Sequence, residues 1–265
     1  SNKLFASEHP LFIGEYRQAF KNSNLIVDSG YTAGYKNTSK TKKSGNKSHF
    51  FSKYIKNFKG KQNSDNSLIV SIQDVSDDKY LKLYKIKSDL VDYETDTLTN
   101  SLNFTHQEDD LFLGFEVSSH ETLKDSYNDK YEYILPDILL DKNLYSDNKF
   151  GNIDFQSNLK VHNYDTNKVK RFLINDFDWK MSKYNFSSGI QGSLLGKLKN
   201  VNYETNNIDI YKSEPTSEMF GALGWLSEID LYKKTANSSN HLFSPKILFR
   251  YAPGNMRKEN DNARL

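Results

Sequence analysis

The nearest thing to a reactive constellation in this sequence is a strand on which acids and a base alternate with aromatics. Asp176, Asp178 and Lys180 take every second position, with Phe177, Trp179 and Met181 between them. Two carboxylates can divide acid and base work. Here the interleaved aromatics make a wet wall the stronger reading, because a strand sends alternate side chains to opposite faces. The six histidines are His9, His49, His106, His120, His162 and His241. None lies within four residues of another, and no HExxH spacing occurs. They read as scattered loop and rim residues. No GxSxG, P-loop or GxGxxG is present. The acidic clusters Glu108-Asp109-Asp110, Asp77-Asp78 and Asp125 with Asn128 and Asp129 lack the EF-hand spacing and read as solvated turns. The chain has no cysteine, which removes disulfides and thiolate metal sites. No cofactor is expected.

Residues 36–48 form a basic loop with Lys36, Lys40, Lys42, Lys43 and Lys47. Such a loop can attract phosphorylated headgroups or nucleic acid. It has no interleaved aromatics, which argues against a nucleic-acid site. The whole chain balances 36 basic against 34 acidic residues, so no nucleic-acid partner is expected.

The elements that carry these residues are strands. In 152–182, Ile153, Phe155, Leu159 and Val161 alternate with Asp154, Gln156, Asn158, Lys160 and His162. The polar turn Asp165-Thr166-Asn167 leads into a second strand of the same kind. Both run for about ten residues or more, beyond the usual five or six and close to the nine to eleven that a tilted strand needs to cross a bilayer. The same pattern predicts about twelve strands, at 11–20, 25–35, 49–58, 67–75, 97–106, 111–120, 131–140, the two of 152–182, 189–200, 220–232 and 241–252. The clearest alternation is 111–120, where Leu111, Leu113, Phe115 and Val117 face one way. Residues 80–86, YLKLYKI, read as a short helix or an extended rim segment. The connections alternate short and long, with one exception at Asp165, where a tight turn stands in place of a long loop.

Only 36% of residues are apolar, yet aromatics reach 14%, with 17 Tyr and 17 Phe. Disordered chains are poor in aromatics. A wet interior with aromatic rings at an interface fits both numbers. No run of about eighteen apolar residues exists, so no transmembrane helix is expected. The residues therefore predict an all-β fold, an antiparallel up-and-down meander of about twelve strands of the transmembrane or membrane-like kind. Glu15, Asp154, Lys160, Asp176, Asp178 and Lys180 are the expected lumen-facing residues. Leu111, Leu113, Phe115, Phe177 and Trp179 are the expected lipid-facing ones.

Four stretches together resemble the LptD family (also called OstA or Imp) of outer-membrane lipopolysaccharide-assembly proteins. GEYRQAF (14–20) resembles an early barrel strand of that family. SIQDVSDDKYLKLY (71–84) resembles a strand with its following segment. YEYILPDILL (131–140) resembles a strand with an internal proline, and SPKILFRYAPGNM (244–256) a strand end. The order matches, and the resemblance covers nearly the whole chain. It implies a Gram-negative outer-membrane protein that inserts lipopolysaccharide into the outer leaflet by guided translocation, with no catalytic residue. It also implies an LptE-like plug lipoprotein, periplasmic Lpt bridge components and outer-membrane lipid as partners. Residues 1–265 would be a partial transmembrane β-barrel, the N-terminal part of the whole, without the periplasmic jellyroll and the closing strands. The alternatives are another outer-membrane barrel, such as a porin or receptor, and a soluble carbohydrate-binding β-sandwich.

Overall fold

Period-two alternation needs a partner on each side before it becomes a sheet, and the chain supplies those partners in sequence order. The computed structural model describes residues 2–4, 8–35, 45–60, 64–124, 129–165, 167–234 and 240–253. The elements are β1 (Asn2–Lys3), β2 (Leu11–Ala19), β3 (Ser23–Thr32), β4 (Lys47–Lys59), β5 (Asp65–Val75), α1 (Tyr80–Tyr84), β6 (Thr97–Gln107), β7 (Leu111–Thr122), β8 (Tyr131–Asp147), β9 (Gly151–Tyr164), β10 (Lys168–Lys180), β11 (Tyr184–Asn185), β12 (Ile190–Asn206), β13 (Thr216–Ile229), β14 (Leu231–Lys234), β15 (Asn240–Phe243) and β16 (Lys246–Tyr251). Strands β1 to β10, then β12, β13 and β16, lie side by side in one antiparallel sheet, with β11 paired to β12. This is the expected all-β up-and-down meander of twelve principal strands, and among the described residues it is not closed. No described helix is long and apolar enough to cross a membrane. The all-β meander is compatible with an outer-membrane barrel.

Three expected boundaries are corrected. Residues 201–206 belong to β12, where the sequence pattern had ended the strand at 200. Val201, Tyr203 and Thr205 continue the alternation, and all three are buried. The strand expected at 220–232 ends at Ile229. The one expected at 241–252 breaks at Ser244-Pro245, because proline has no N–H to give a ladder. Leu231–Lys234 and Asn240–Phe243 instead form their own hairpin. The connection between β13 and β16 is therefore long, where a short one was expected. The tight turn of 165–167 is as expected, with Asp165 and Asn167 at φ 41° and 70°, a left-handed region that short polar side chains tolerate.

The chain divides into two compact units. The first comprises the described residues of 1–109, 114–137 and 160–169, and the second those of 110–113, 138–159 and 170–265. In the first, the connection 76–96 packs on one face of β2–β5. Its core is Leu11, Phe51, Val75, Leu98 and Leu123 from around the sheet with Tyr80, Leu81, Tyr84, Ile86 and Val91 from the connection. The sequence left 80–86 open between helix and rim, and the outcome is the five-residue α1. Asp77 starts it: its carbonyl accepts from the Tyr80 N–H at 3.0 Å and its carboxylate from the Lys79 N–H at 3.0 Å. Lys85 ends it in the left-handed conformation.

Candidate functional site

The candidate site is the pair of faces that a strand's alternation gives the sheet. In the first unit, register fixes which residues share a face. Phe12 lies opposite Tyr31, Tyr16 opposite Val27, and Leu25 opposite Tyr54. Tyr54 in turn meets Val70, and Val70 meets Leu102. This aromatic face is uncovered: Phe12, Tyr16, Tyr31, Phe50, Ile72 and Leu102 are all exposed. Single exposed apolar side chains need no explanation, but a continuous apolar patch marks a surface that meets something other than water.

The opposite face mixes charge with the buried core. Glu15 lies opposite Asp28, Asp28 opposite Phe51, and Gly30 opposite His49. His49, expected on a loop or rim, is the main correction among the histidines. Its side chain is wholly enclosed and sits in a chain of hydrogen bonds. Nε2 donates to Asp28 Oδ1 at 3.2 Å, and Nδ1 accepts from the Tyr80 hydroxyl at 3.0 Å. The carboxylate can only accept, which sets this tautomer of the neutral ring. Phe51 stacks on the imidazole with 4.7 Å between centroids. Gly30 makes the arrangement possible, since a Cβ there would stand 2.5 Å from the imidazole and 3.0 Å from the Tyr80 oxygen. Burial, with the charge of Asp28 adding to it, pushes the Tyr80 phenol well above its ordinary value. Burial does the same to Tyr84, helped by its hydrogen bond to Glu8.

The expected lumen residues lie where strand parity puts them, and most are paired. Glu15 bonds Arg17 at 2.5 Å, and Arg17 also reaches Asp89 of the 76–96 connection at 2.5 Å. Lys160 of β9 meets Asp137 of β8 at 3.0 Å, and His162 meets Glu132 at 2.5 Å. Asp154 accepts from the Asn143 amide at 2.7 Å. In the second unit, Asp176 pairs with Lys199 at 3.1 Å and Asp178 with Lys197 at 3.0 Å. Lys180 is exposed at the end of β10. Glu228, buried on β13, is held by both Lys183 and Lys246. Lys160, Asp176 and Asp178 each have an opposite charge on a neighbouring strand, as expected of a hydrated wall rather than of a nucleophile with its base. Among the described residues, no group of three or more His, Asp or Glu is placed to hold a metal.

The expected lipid-facing residues Phe177 and Trp179 share a face with Ile153, Leu198, Leu223 and Tyr251, and together these line an open apolar groove of about 350 Å³. Phe155 packs on Phe177 with 4.6 Å between centroids. Both indoles lie over glycine. A Cβ at Gly196 would meet Trp179 at 3.1 Å, and one at Gly192 would meet Trp225 at 2.3 Å. Each indole N–H is satisfied locally, Trp179 by the Phe150 carbonyl and Trp225 by the Ser227 hydroxyl, both at 2.8 Å. Leu111, Leu113 and Phe115 are half-buried on β7.

Sequence reasoning missed two groups. One is the Asp28–His49–Tyr80 chain, whose members are 21 and 31 residues apart from His49. The small residues Gly30, Thr32 and Gly34 on its face were the available signal. The other is the cluster of Phe172, Tyr203 and Tyr211, with centroids 5.5 to 5.8 Å apart. Most of the basic loop, residues 36–44, lies outside the described residues, as do Asp125, Asn128 and 254–256 of the last family-like stretch. Its described end, Lys47, pairs with Asp77 at 3.1 Å. No family model matches the sequence, and no curated protein matches it either.

Proposed function

We propose that this chain is part of a Gram-negative outer-membrane β-barrel of the LptD type, which guides lipopolysaccharide into the outer leaflet without chemical catalysis. The observation that carries the membrane part of the reading is the exposed aromatic face of the sheet, opposite a face whose charges are paired. Water disfavours the first and hydrocarbon the second, so a sheet between lipid and a wet interior suits both. Strand length supports it: β4 has 13 residues, and β8 and β12 have 17 each. That is enough to span a bilayer and project beyond it. The choice of lipopolysaccharide as cargo rests on the four family-like stretches. They fall on β2, on the end of β5 with α1, on β8 and on the region of β16. The LptE-like plug, the periplasmic bridge and outer-membrane lipid are proposed partners on the same ground.

A soluble carbohydrate-binding sandwich needs its apolar faces covered by each other. Within the first unit, Phe12, Tyr16 and Phe50 are open to solvent, which favours the membrane. Photoreactive residues placed at Glu15, Asp176 and Phe177 in a lipopolysaccharide-producing cell test the cargo. Lipid A adducts at the first two, and none at Phe177, are expected. Adducts at none of the three would remove lipopolysaccharide as the cargo.

A further inference from the structure

The connection 76–96 does more than join β5 to β6. It lies on the mixed face of the first unit, the face that carries Glu15, Asp28 and His49, and it closes over that face. Three kinds of contact hold it there. The first is apolar: Tyr80, Leu81, Tyr84, Ile86 and Val91 are buried against Leu11, Phe51 and Val75. The second is ionic and lies at the margins, where Asp77 meets Lys47, Asp78 meets Lys130 at 2.6 Å, and Asp89 meets Arg17. The third is polar: the buried chain from Tyr80 through His49 to Asp28, with the Tyr84 hydroxyl on Glu8 and the Lys3 ammonium on the Tyr84 carbonyl at 2.8 Å toward the rim. The exposed Arg17–Asp89 pair contributes little, and the half-buried Lys47–Asp77 and Lys130–Asp78 pairs keep their outer edges in water. A buried polar group left without its partner is costly. The buried chain is therefore the contact whose loss most favours release of the connection.

We propose that 76–96 is a built-in plug over the wet face of the first unit, and that Asp28–His49–Tyr80 is its latch. The plug part of this rests on the barrel reading, and the latch does not. The chain has no cysteine, so a single introduced one can be labelled alone. Val91→Cys sits eleven residues from the latch in a position that is 7% exposed, and Leu83→Cys sits on the open side of α1 at 47%. In the otherwise unaltered protein, a water-soluble maleimide should label V91C far more slowly than L83C. Adding Tyr80→Phe, which removes only the hydroxyl, should speed V91C labelling roughly tenfold or more while the strand ellipticity stays unchanged. Labelling of V91C as fast as L83C from the start means the connection is not docked, and overturns the proposal. So does an unchanged rate in Y80F. Loss of strand ellipticity in Y80F overturns it as well, since a latch on a plug is not needed for the sheet.

In planar bilayers, Y80F introduced into the whole barrel that this chain is proposed to be part of should raise single-channel conductance. Faster labelling with unchanged conductance keeps the latch and removes the plug. Absence of channels from every variant, the unaltered barrel included, counts against the membrane reading and leaves labelling to decide the latch.

Discussion

The two units solve the same problem, a sheet with one wet and one apolar face, in different ways. The first covers its mixed face with a folded connection and so acquires a conventional core, in which Leu11, Phe51, Tyr80 and Leu98 have no exposed surface. The second carries few buried apolar side chains among its described residues, chiefly Val201 and Tyr203. Its charged face is held by cross-strand pairs, and its apolar face by indoles packed against glycines. Packing density makes the first intolerant of small changes. The second, whose large side chains end in open space, has room to yield. The same kind of substitution should therefore cost very different amounts in the two units.

The widest gap is expected from truncating one phenylalanine in each. Phe51→Ala opens a cavity in a sealed core and should destabilise the first unit by about 3–5 kcal/mol. Phe177→Ala removes a half-open ring whose main partner is Phe155, and should cost about 1 kcal/mol. Chemical denaturation in detergent micelles measures both, and equal losses would erase the distinction.

Glycine gives a sharper version. A Cβ at Gly30 and a Cβ at Gly192 face nearly equal clashes, at 2.5 Å from the His49 ring and 2.3 Å from the Trp225 ring. His49 is enclosed, so Gly30→Ala should cost about 1–3 kcal/mol. Trp225 is only half-buried, so Gly192→Ala should shift its fluorescence and cost less than Gly30→Ala. A larger loss from G192A than from G30A would reverse the comparison.

Alkaline titration should also separate the units. The phenols of Tyr80 and Tyr84 are held above their ordinary value by burial. A group whose folded pKa lies above its unfolded one stabilises the fold fully below the unfolded pKa, about 10 for tyrosine, and loses that contribution as pH rises through the folded value. The unfolding midpoint of the first unit should therefore fall above about pH 10. In a Tyr80→Phe, Tyr84→Phe background that loss should disappear.

The smallest effect is expected from the charged face of the second unit. A double-mutant cycle on the exposed pair Asp178 and Lys197, made with Asn and Met, should give a coupling of about 1 kcal/mol or less, reduced by salt. A coupling of several kcal/mol would mean that this face excludes water.

Much of this organisation can be read along the chain, because a strand records its two faces in neighbouring residues. The face assignments for β3 (Leu25, Val27 and Tyr31 against Ile26, Asp28 and Thr32) follow from alternation alone and agree with the register. The turn at Asp165 and Asn167 was visible in its residue types. The limits of β12 were less so, because Asn200, Asn202 and Asn206 look like loop residues until Val201, Tyr203 and Thr205 are seen to be buried between them. The break before Lys246 is written in Pro245, which lacks the N–H that a ladder needs. The latch was not legible at all. Its three members come from β3, β4 and α1, and only the docking of the 76–96 connection brings them together. Local periodicity carries no information about which face a long connection will choose.

The placement of the two tryptophans has an optical consequence. Trp179 and Trp225 are the only tryptophans in the chain, and both belong to the second unit, on its apolar face. Indole emission therefore reports on that face alone, and the first unit is dark to it. A melting curve followed by tryptophan fluorescence will record when the second unit's surroundings change and will pass over any loosening around Tyr80. Tyrosine absorbance, or a tryptophan installed at Phe51, is needed to see the other half. Two such curves that coincide would mark the sheet as one cooperative body, and two that part would give each unit its own transition.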